Sequence, residues 1–251
     1  MTGLLGTDPE ILYPETDGLP LADNTIQFRL IVTTQGGLDA LFRHKQVFVA
    51  GDLLWYPVKG SLESAAPDVM VVFDREKGDR RSYKQWEEGN IPPQVAFEFV
   101  SKNNTIREVE ERKFKFYQTH GVEEYYIHDP DKGTLKGWLR QGQELQPIEP
   151  MQGWVSPRLG IRFELSGKEM QLYAPNGERF ASYCELMEQR EQVQQQAEQA
   201  HQRAEQERQR AEQERQRAER AETQWEQLSA KLKLLDPEQL RALGIDPDRL
   251  A

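Results

Sequence analysis

Residues 92–101, PPQVAFEFVS, place a carboxylate where an apolar side chain would be cheaper. The run has the length and the aromatic and β-branched content of a strand, and Glu98 stands inside it between Phe97 and Phe99. If both faces of this strand are covered, the carboxylate must be ion-paired, hydrogen-bonded or metal-bound, because burying it bare is costly. If one face meets solvent, Ala96, Glu98 and Val100 point outward against Phe97 and Phe99. The spacing leaves both arrangements open.

A second apolar run, APDVMVVF, begins with Asp68 behind a proline. About a dozen residues after Glu98, a helix expected over 106–118 carries Lys113, with Tyr117 one turn further on the same face. Lys115 points elsewhere on that helix and ranks second. If the two strands are neighbours, Asp68 and Glu98 make a divalent-metal site of the Mg²⁺ kind, which prefers carboxylate oxygens and retains several waters. Such an ion lowers the pKa of a bound water and stabilises charge developing on a phosphate. The four histidines are scattered and show no metal-ligand spacing.

In chain order, residues 1–22 read as an irregular arm rich in Pro, Gly and Asp. Residues 23–181 form the globular domain. It opens with a helix capped by Asp23 or Asn24 and running to about Phe42, with an interruption or bend expected at Gly36-Gly37. A strand pair over QVFVAGDLLWYPV, with a turn or bulge at Gly51-Asp52, comes before the APDVMVVF strand. Residues 74–93 read as a long polar loop with a helical turn, carrying Arg75, Lys77, Arg80, Arg81 and Lys84 among Tyr83 and Trp86. Basic side chains with interleaved aromatics suit a phosphate backbone and exposed bases; a solvated loop with Trp86 packed on the domain is the plainer account. VEEYYIHD is a third apolar run, followed by a turn at 129–133 and an antiparallel partner in TLKGWLR. Further strands are expected in WVSPRLGIRFEL and MQLYAP. Strands and helices alternating around the acids predict an α/β or α+β fold, a sheet with helices packed on it.

Beyond residue 181 the pattern changes. RAEQERQ occurs twice in tandem from Arg203, and Ala197, Ala204, Ala211, Ala218, Trp225 and Leu232 fall every seven residues. Fifty helical residues would extend roughly 75 Å. A coiled coil wants large apolar residues at both seam positions, and the second seam here runs Val193, Ala200, Glu207, Glu214, Ala221, Leu228. Residues 182–235 are therefore expected to form a long charge-stabilised helix that pairs weakly, and 236–251 a short amphipathic terminus.

The net charge of −10 bears on partners. Residues 1–184 alone hold 27 acids and 21 bases, which argues against a broad phosphate-binding surface but not against a local basic groove. A single cysteine, Cys184, fits a reducing compartment. The N-terminus has no basic start followed by an apolar run, and no stretch approaches the ~18 apolar residues of a membrane span. A cytoplasmic protein without a membrane anchor is expected.

The ordered set APDV, connecting loop, PPxxxFExxS, helical KxxxY and GVEEYYIxDP resembles the Uma2 family over about residues 20–175. That family is similar to the PD-(D/E)XK nucleases, which include many restriction endonucleases. The arrangement with a Glu/Arg/Gln-rich C-terminal helix resembles its cyanobacterial members. The resemblance implies a restriction-endonuclease-like mixed sheet flanked by helices, acting on DNA with Mg²⁺ or Mn²⁺. Carried over, Asp68 and Glu98 take the metal-binding acid positions. Val100 stands where the superfamily has its lysine, so that role passes to Lys113.

Two readings of function follow. In the first, the chain is a metal-dependent DNA endonuclease with Asp68, Glu98 and Lys113 as its catalytic residues. Arg75, Lys77, Arg80, Arg81 and Lys84 would then help hold the DNA backbone, with Lys102 and Arg107 near the site. In the second, it is a catalytically inactive nuclease-like scaffold acting through its long helix. That helix would also serve a homodimer or a protein partner. A carboxylate-pair glycosidase would require an acid separation that sequence does not give.

Overall fold

The computed structural model describes residues 11–16, 18, 22, 24–101, 108–244 and 246. The chain forms two compact units, Met1–Leu186 and Met187–Ala251. Lys102 and Arg107, Asp23 as an alternative helix cap, and the start of the second helix lie outside the described residues.

Helix α1, Thr25–Leu41, is capped by Asn24, whose side-chain oxygen accepts from the N–H groups of Ile26 and Gln27 at 3.0 and 2.9 Å. It buries Gln27, Ile31, Thr34 and Leu38 at helical spacing. The expected interruption at Gly36-Gly37 is absent and the helix runs through both. Gly37 is there for space, because a Cβ at that position would come within 2.3 Å of the Phe180 ring.

The main sheet has six strands in the order β1 (Val47–Gly51), β3 (Val69–Phe73), β5 (Val95–Phe99), β6 (Glu124–Asp129), β7 (Thr134–Gln141), β8 (Glu144–Pro147). All neighbours are antiparallel except β5 and β6. A parallel pair needs a crossover, and the chain supplies it with a π-helical turn, Glu108–Lys113, that runs into α2, Phe114–Thr119. The strand pair expected over residues 46–58 does not form as a hairpin. Asp52 takes φ +48 and turns the chain away, so β1 pairs with β3. The short β2 (Trp55–Tyr56) instead pairs with β4 (Tyr83–Lys84). The segment expected as a long loop therefore holds β4 and a 3₁₀ turn, Gln85–Glu87. A hairpin of β9 (Arg162–Ser166) and β10 (Glu169–Tyr173) completes the strands.

Both faces of the sheet are covered, so β3 and β5 are apolar almost without alternation. Val69, Val71, Phe97, Phe99 and Tyr126 pack with α1 on one face. Met70, Val72, Ala96, Tyr117 and Tyr125 pack on the other.

Helix α3, Tyr183–Lys233, is long and leaves Val193, Trp225 and Leu228 exposed. An i,i+4 pair, Arg215–Glu219 at 3.0 Å, lies along it. Helix α4, Pro237–Ala242, follows behind a capping box of Asp236 and Gln239.

Candidate active site

Strands β3 and β5 are neighbours in register Val69↔Phe97. Asp68, one residue before β3, and Glu98, one residue after Phe97, therefore arrive at the same end of the sheet. Both are buried, at 6% and 1% exposure, which removes the arrangement with Glu98 facing solvent.

Each carboxylate is held by specific donors. Asp68 Oδ2 accepts from the backbone N–H of Phe99 at 2.6 Å, and Gln27 Nε2 donates to the carbonyl of the same residue at 3.0 Å. The two peptide groups that flank Phe99, the residue after Glu98, are thus fixed by Asp68 on one side and from α1 on the other. Glu98 Oε2 accepts from Lys113 Nζ at 2.7 Å, and Oε1 accepts from the Tyr117 hydroxyl at 2.6 Å. Lys113 Nζ also donates to the Ala66 carbonyl at 3.0 Å, tying the helical crossover to the segment that leads through Asp68 into β3. Lys113 closes the π-helical turn and Tyr117 lies one turn later in α2; the Tyr117 ring stacks on Trp55 at 6.4 Å.

The electrostatics follow from this enclosure. Burial pushes the Glu98 carboxyl up to about 7; the Lys113 ammonium opposes the shift and the Asp68 charge adds to it. Burial alone would lower the Lys113 ammonium, but the Glu98 and Asp68 carboxylates outweigh it and its pKa rises. The Tyr117 phenol lies well above its usual range, through burial and the nearby Glu98 charge. It remains a proton donor to Glu98 at any ordinary pH.

The residues read from sequence do not all assemble. Asp68, Glu98 and Lys113 come together, while Lys115 is exposed. Among the loop cations, Lys77 faces Asp39, Arg80 grips Glu88 at 2.6 Å, Arg81 faces Glu15 at 3.2 Å and Lys84 lies 3.7 Å from Glu87. Arg75 donates to the Asp74 carbonyl at 2.5 Å. Their charge is largely matched within the domain. Elsewhere, Arg112, Lys113 and Lys115 line a recess of about 350 Å³ together with Glu63, Ser64 and Phe116. Helical periodicity does not point to it, since it sets Lys115 away from Lys113; the only signal is that residues 112, 113 and 115 are close in sequence.

Two partners were not assigned to the site from sequence. Tyr117 was visible only as a residue one turn from Lys113 and as the tyrosine of the KxxxY motif. Gln27, 3% exposed, is the polar residue of the first helix nearest to where some members of the superfamily that the chain resembles carry a glutamate, and that ground alone does not assign it to the site. A further buried acid, Glu124, accepts from Ser156 Oγ, from the Tyr126 hydroxyl at 2.9 Å and from the Arg158 N–H at 2.7 Å. Its oxygens are occupied by protein donors, so it fastens β6 to the segment between β8 and β9.

The donor set fits a hard divalent cation held through one or two carboxylates. It does not amount to a closed protein cage: among the described residues no group of three or more His, Cys, Asp or Glu side chains could hold a metal. Each Glu98 oxygen already takes one donor and has a second lone pair left.

Residues 17–174 match the model of a family, Uma2, described as "Putative restriction endonuclease". A solved structure similar to part of the chain is that of a "putative nuclease belonging to DUF820" from Anabaena variabilis. It has a TM-score of 0.40 and 16% identity, over 53% of this chain and 73% of that one. No curated protein matches the chain.

Proposed function

The chain belongs to the Uma2 family, with a PD-(D/E)XK nuclease-like fold, and from that premise we propose that it is a metal-dependent endonuclease hydrolysing phosphodiester bonds of DNA. The observation that carries this reading is the convergence of Asp68, Glu98 and Lys113 from two adjacent strands and the helical crossover. Asp68 and Glu98 would hold Mg²⁺ or Mn²⁺. A bound ion of this kind supplies a water of lowered pKa and offsets charge on the scissile phosphate.

The chain's own residues do the rest. The Phe99 N–H fixes Asp68, and Tyr117 with Lys113 fixes both oxygens of Glu98, so neither carboxylate has to reorganise. Lys113, protonated and largely buried, sets a positive charge beside the acids where a phosphate oxygen would approach. Arg112 and Lys115 extend that charge across the neighbouring recess and suit the backbone on either side. DNA is the partner this charge favours.

A second reading, a catalytically inactive nuclease-like scaffold acting through its long helix, draws on one observation. Both Glu98 oxygens are already engaged by protein donors, as in a site kept for stability. Helix α3, with its exposed Trp225 and Leu228, would then meet a second copy or another protein.

The test is cleavage of supercoiled and single-stranded DNA with Mg²⁺ or Mn²⁺, beside calorimetric metal titration. Cleavage that is abolished by EDTA and by Asp68→Asn or Glu98→Gln is expected. Folded protein that neither cleaves nor binds either ion turns the assignment to the scaffold.

A further inference from the structure

On the face of the sheet opposite Glu98 lies a cavity of about 420 Å³, bounded by α1, the end of β6, the β9–β10 hairpin and the segment that leads into α3. His128 lines it. In the parallel register His128 pairs with Phe99, so its side chain falls on the α1 face, away from the carboxylate cluster.

His128 is 1% exposed, and its Nδ1 lies 3.0 Å from the Thr134 carbonyl oxygen. A carbonyl only accepts, so Nδ1 carries the proton. Burial pulls the imidazole below its usual range and keeps it neutral, which leaves a lone pair on Nε2. Among the described residues Nε2 has no hydrogen-bond partner. Buried polar atoms are rarely left in this state.

The remaining lining has two characters. Ile26, Leu30, Met170 and Phe180 give an apolar wall with one aromatic ring. Of the cations, Arg29 lies 3.8 Å from Glu169 and Arg179 is bound to Glu185. Lys168, exposed at the rim, gives its ammonium to the Asp131 carbonyl and has no acid partner among the described ion pairs. An occupant that satisfies all of this has a flat apolar body, an N–H or O–H donor on its edge and one anionic group. The volume lies within the range of small-molecule sites.

We propose that this cavity binds a single nucleotide, its base edge donating to His128 Nε2 and its phosphate meeting Lys168. Every base has an N–H donor on its edge and an aromatic face suited to Phe180, and the nucleotide adds the anionic phosphate. Nε2 is closed to bulk water, so the base reaches it only when the apolar wall parts. Met170, unbranched and adaptable, is the wall residue best able to yield. The nucleotide is either free or one unit of a strand, and the two sources share this chemistry. The site is separate from the carboxylate cluster and does not depend on cleavage.

Long-range ¹H–¹⁵N spectra of the histidine side chains in the full chain test it. The probes are the four deoxynucleoside 5′-monophosphates, a short single-stranded oligodeoxynucleotide, and inorganic phosphate as control. The His128 Nε2 signal is expected to move while those of His44, His120 and His201 stay in place. Lys168→Ala should weaken binding roughly two- to fivefold, the size of one exposed charge pair. Movement with the monophosphates identifies a free nucleotide, and movement with the oligonucleotide alone identifies a nucleotide within a strand. A His128 signal that stays fixed with both, that moves equally with phosphate alone, or that titrates with unchanged affinity in Lys168→Ala overturns the proposal.

Discussion

Lys113 and Glu98 meet at 2.7 Å beneath the covering of the sheet, joining the helical crossover to the middle strand. Two charges in that position are worth little as a pair against a well-packed apolar substitute, but either one left alone is expensive. Lys113→Ala should therefore cost on the order of 3 kcal/mol. The double variant Glu98→Gln/Lys113→Met should be more stable than Lys113→Ala. Urea unfolding of the variants measures both. A double variant less stable than Lys113→Ala would show that the pair is a net source of stability.

The raised pKa of Glu98 fixes a pH dependence of known sign. An acid whose folded-state pKa lies above its unfolded value holds extra protons in the folded state between the two. With the usual value at 4.5 and the folded one at about 7, Glu98 makes the protein lose stability as pH rises through that window. The full effect is on the order of 3 kcal/mol. Glu98→Gln should flatten this slope, which unfolding midpoints at pH 5, 6 and 8 would record. Identical slopes in both proteins would mean that Glu98 stays ionised throughout.

Tyr117→Phe keeps the ring on Trp55 and deletes only the hydroxyl that caps Glu98 Oε1. A buried acceptor left without its donor costs about 1–3 kcal/mol. If the endonuclease reading holds, cleavage should also fall, because the carboxylate is then fixed by Lys113 alone. Unchanged unfolding and unchanged cleavage together would remove Tyr117 from the site.

Adjacent glycines in α1 should respond in opposite directions. Nothing lies within 4 Å of a Cβ at Gly36, so Gly36→Ala should stabilise by about 0.5–1 kcal/mol through helix propensity. Gly37→Ala drives a methyl into the Phe180 ring and should destabilise by about 1–3 kcal/mol. Thermal unfolding of the two variants is the measurement, and equal shifts of the same sign would show that the ring moves aside freely.

DNA binding separates the recess from the loop. Arg112→Ala and Lys115→Ala should each lower the slope of log affinity against log salt by about one, the signature of a lost phosphate contact. Arg80→Ala should leave the slope alone and cost about 1 kcal/mol of stability instead. Its guanidinium is held by Glu88 and lies over the Phe48 ring at 4.0 Å. A salt slope that changes only in Arg80→Ala would return the phosphate contacts to the loop.

How far the chain can be read without its fold differs from one residue to the next. The run AFEFV, the helical position of Lys113 and the break after residue 181 are local patterns, and local patterns determined the strand, the helix and the long charged rod. The hairpin expected over residues 46–58 failed because strand pairing is a long-range choice: a positive φ at Asp52 sends β2 to β4, and β1 takes β3. The burial of Glu98 could not be settled by alternation, since that depends on whether helices cover the second face. Ion pairing in residues 75–84 was equally hidden, because Asp39 and Glu15, which neutralise Lys77 and Arg81, come from distant segments.

Sequence by itself determined which residue types were present in which local elements: two acids at strand positions, a lysine on a helix, and a seven-residue repeat too poor in large apolar side chains to make a firm zipper. Only the tertiary structure decided which of them meet. It set Asp68 against the Phe99 N–H, gave Glu98 to Lys113 and Tyr117, and left His128 Nε2 without a hydrogen-bond partner among the described residues, beside a cavity on the other face of the sheet. The reason is that a side chain's charge and reactivity depend on burial and on neighbours brought from far along the chain, and neither quantity is written in local spacing.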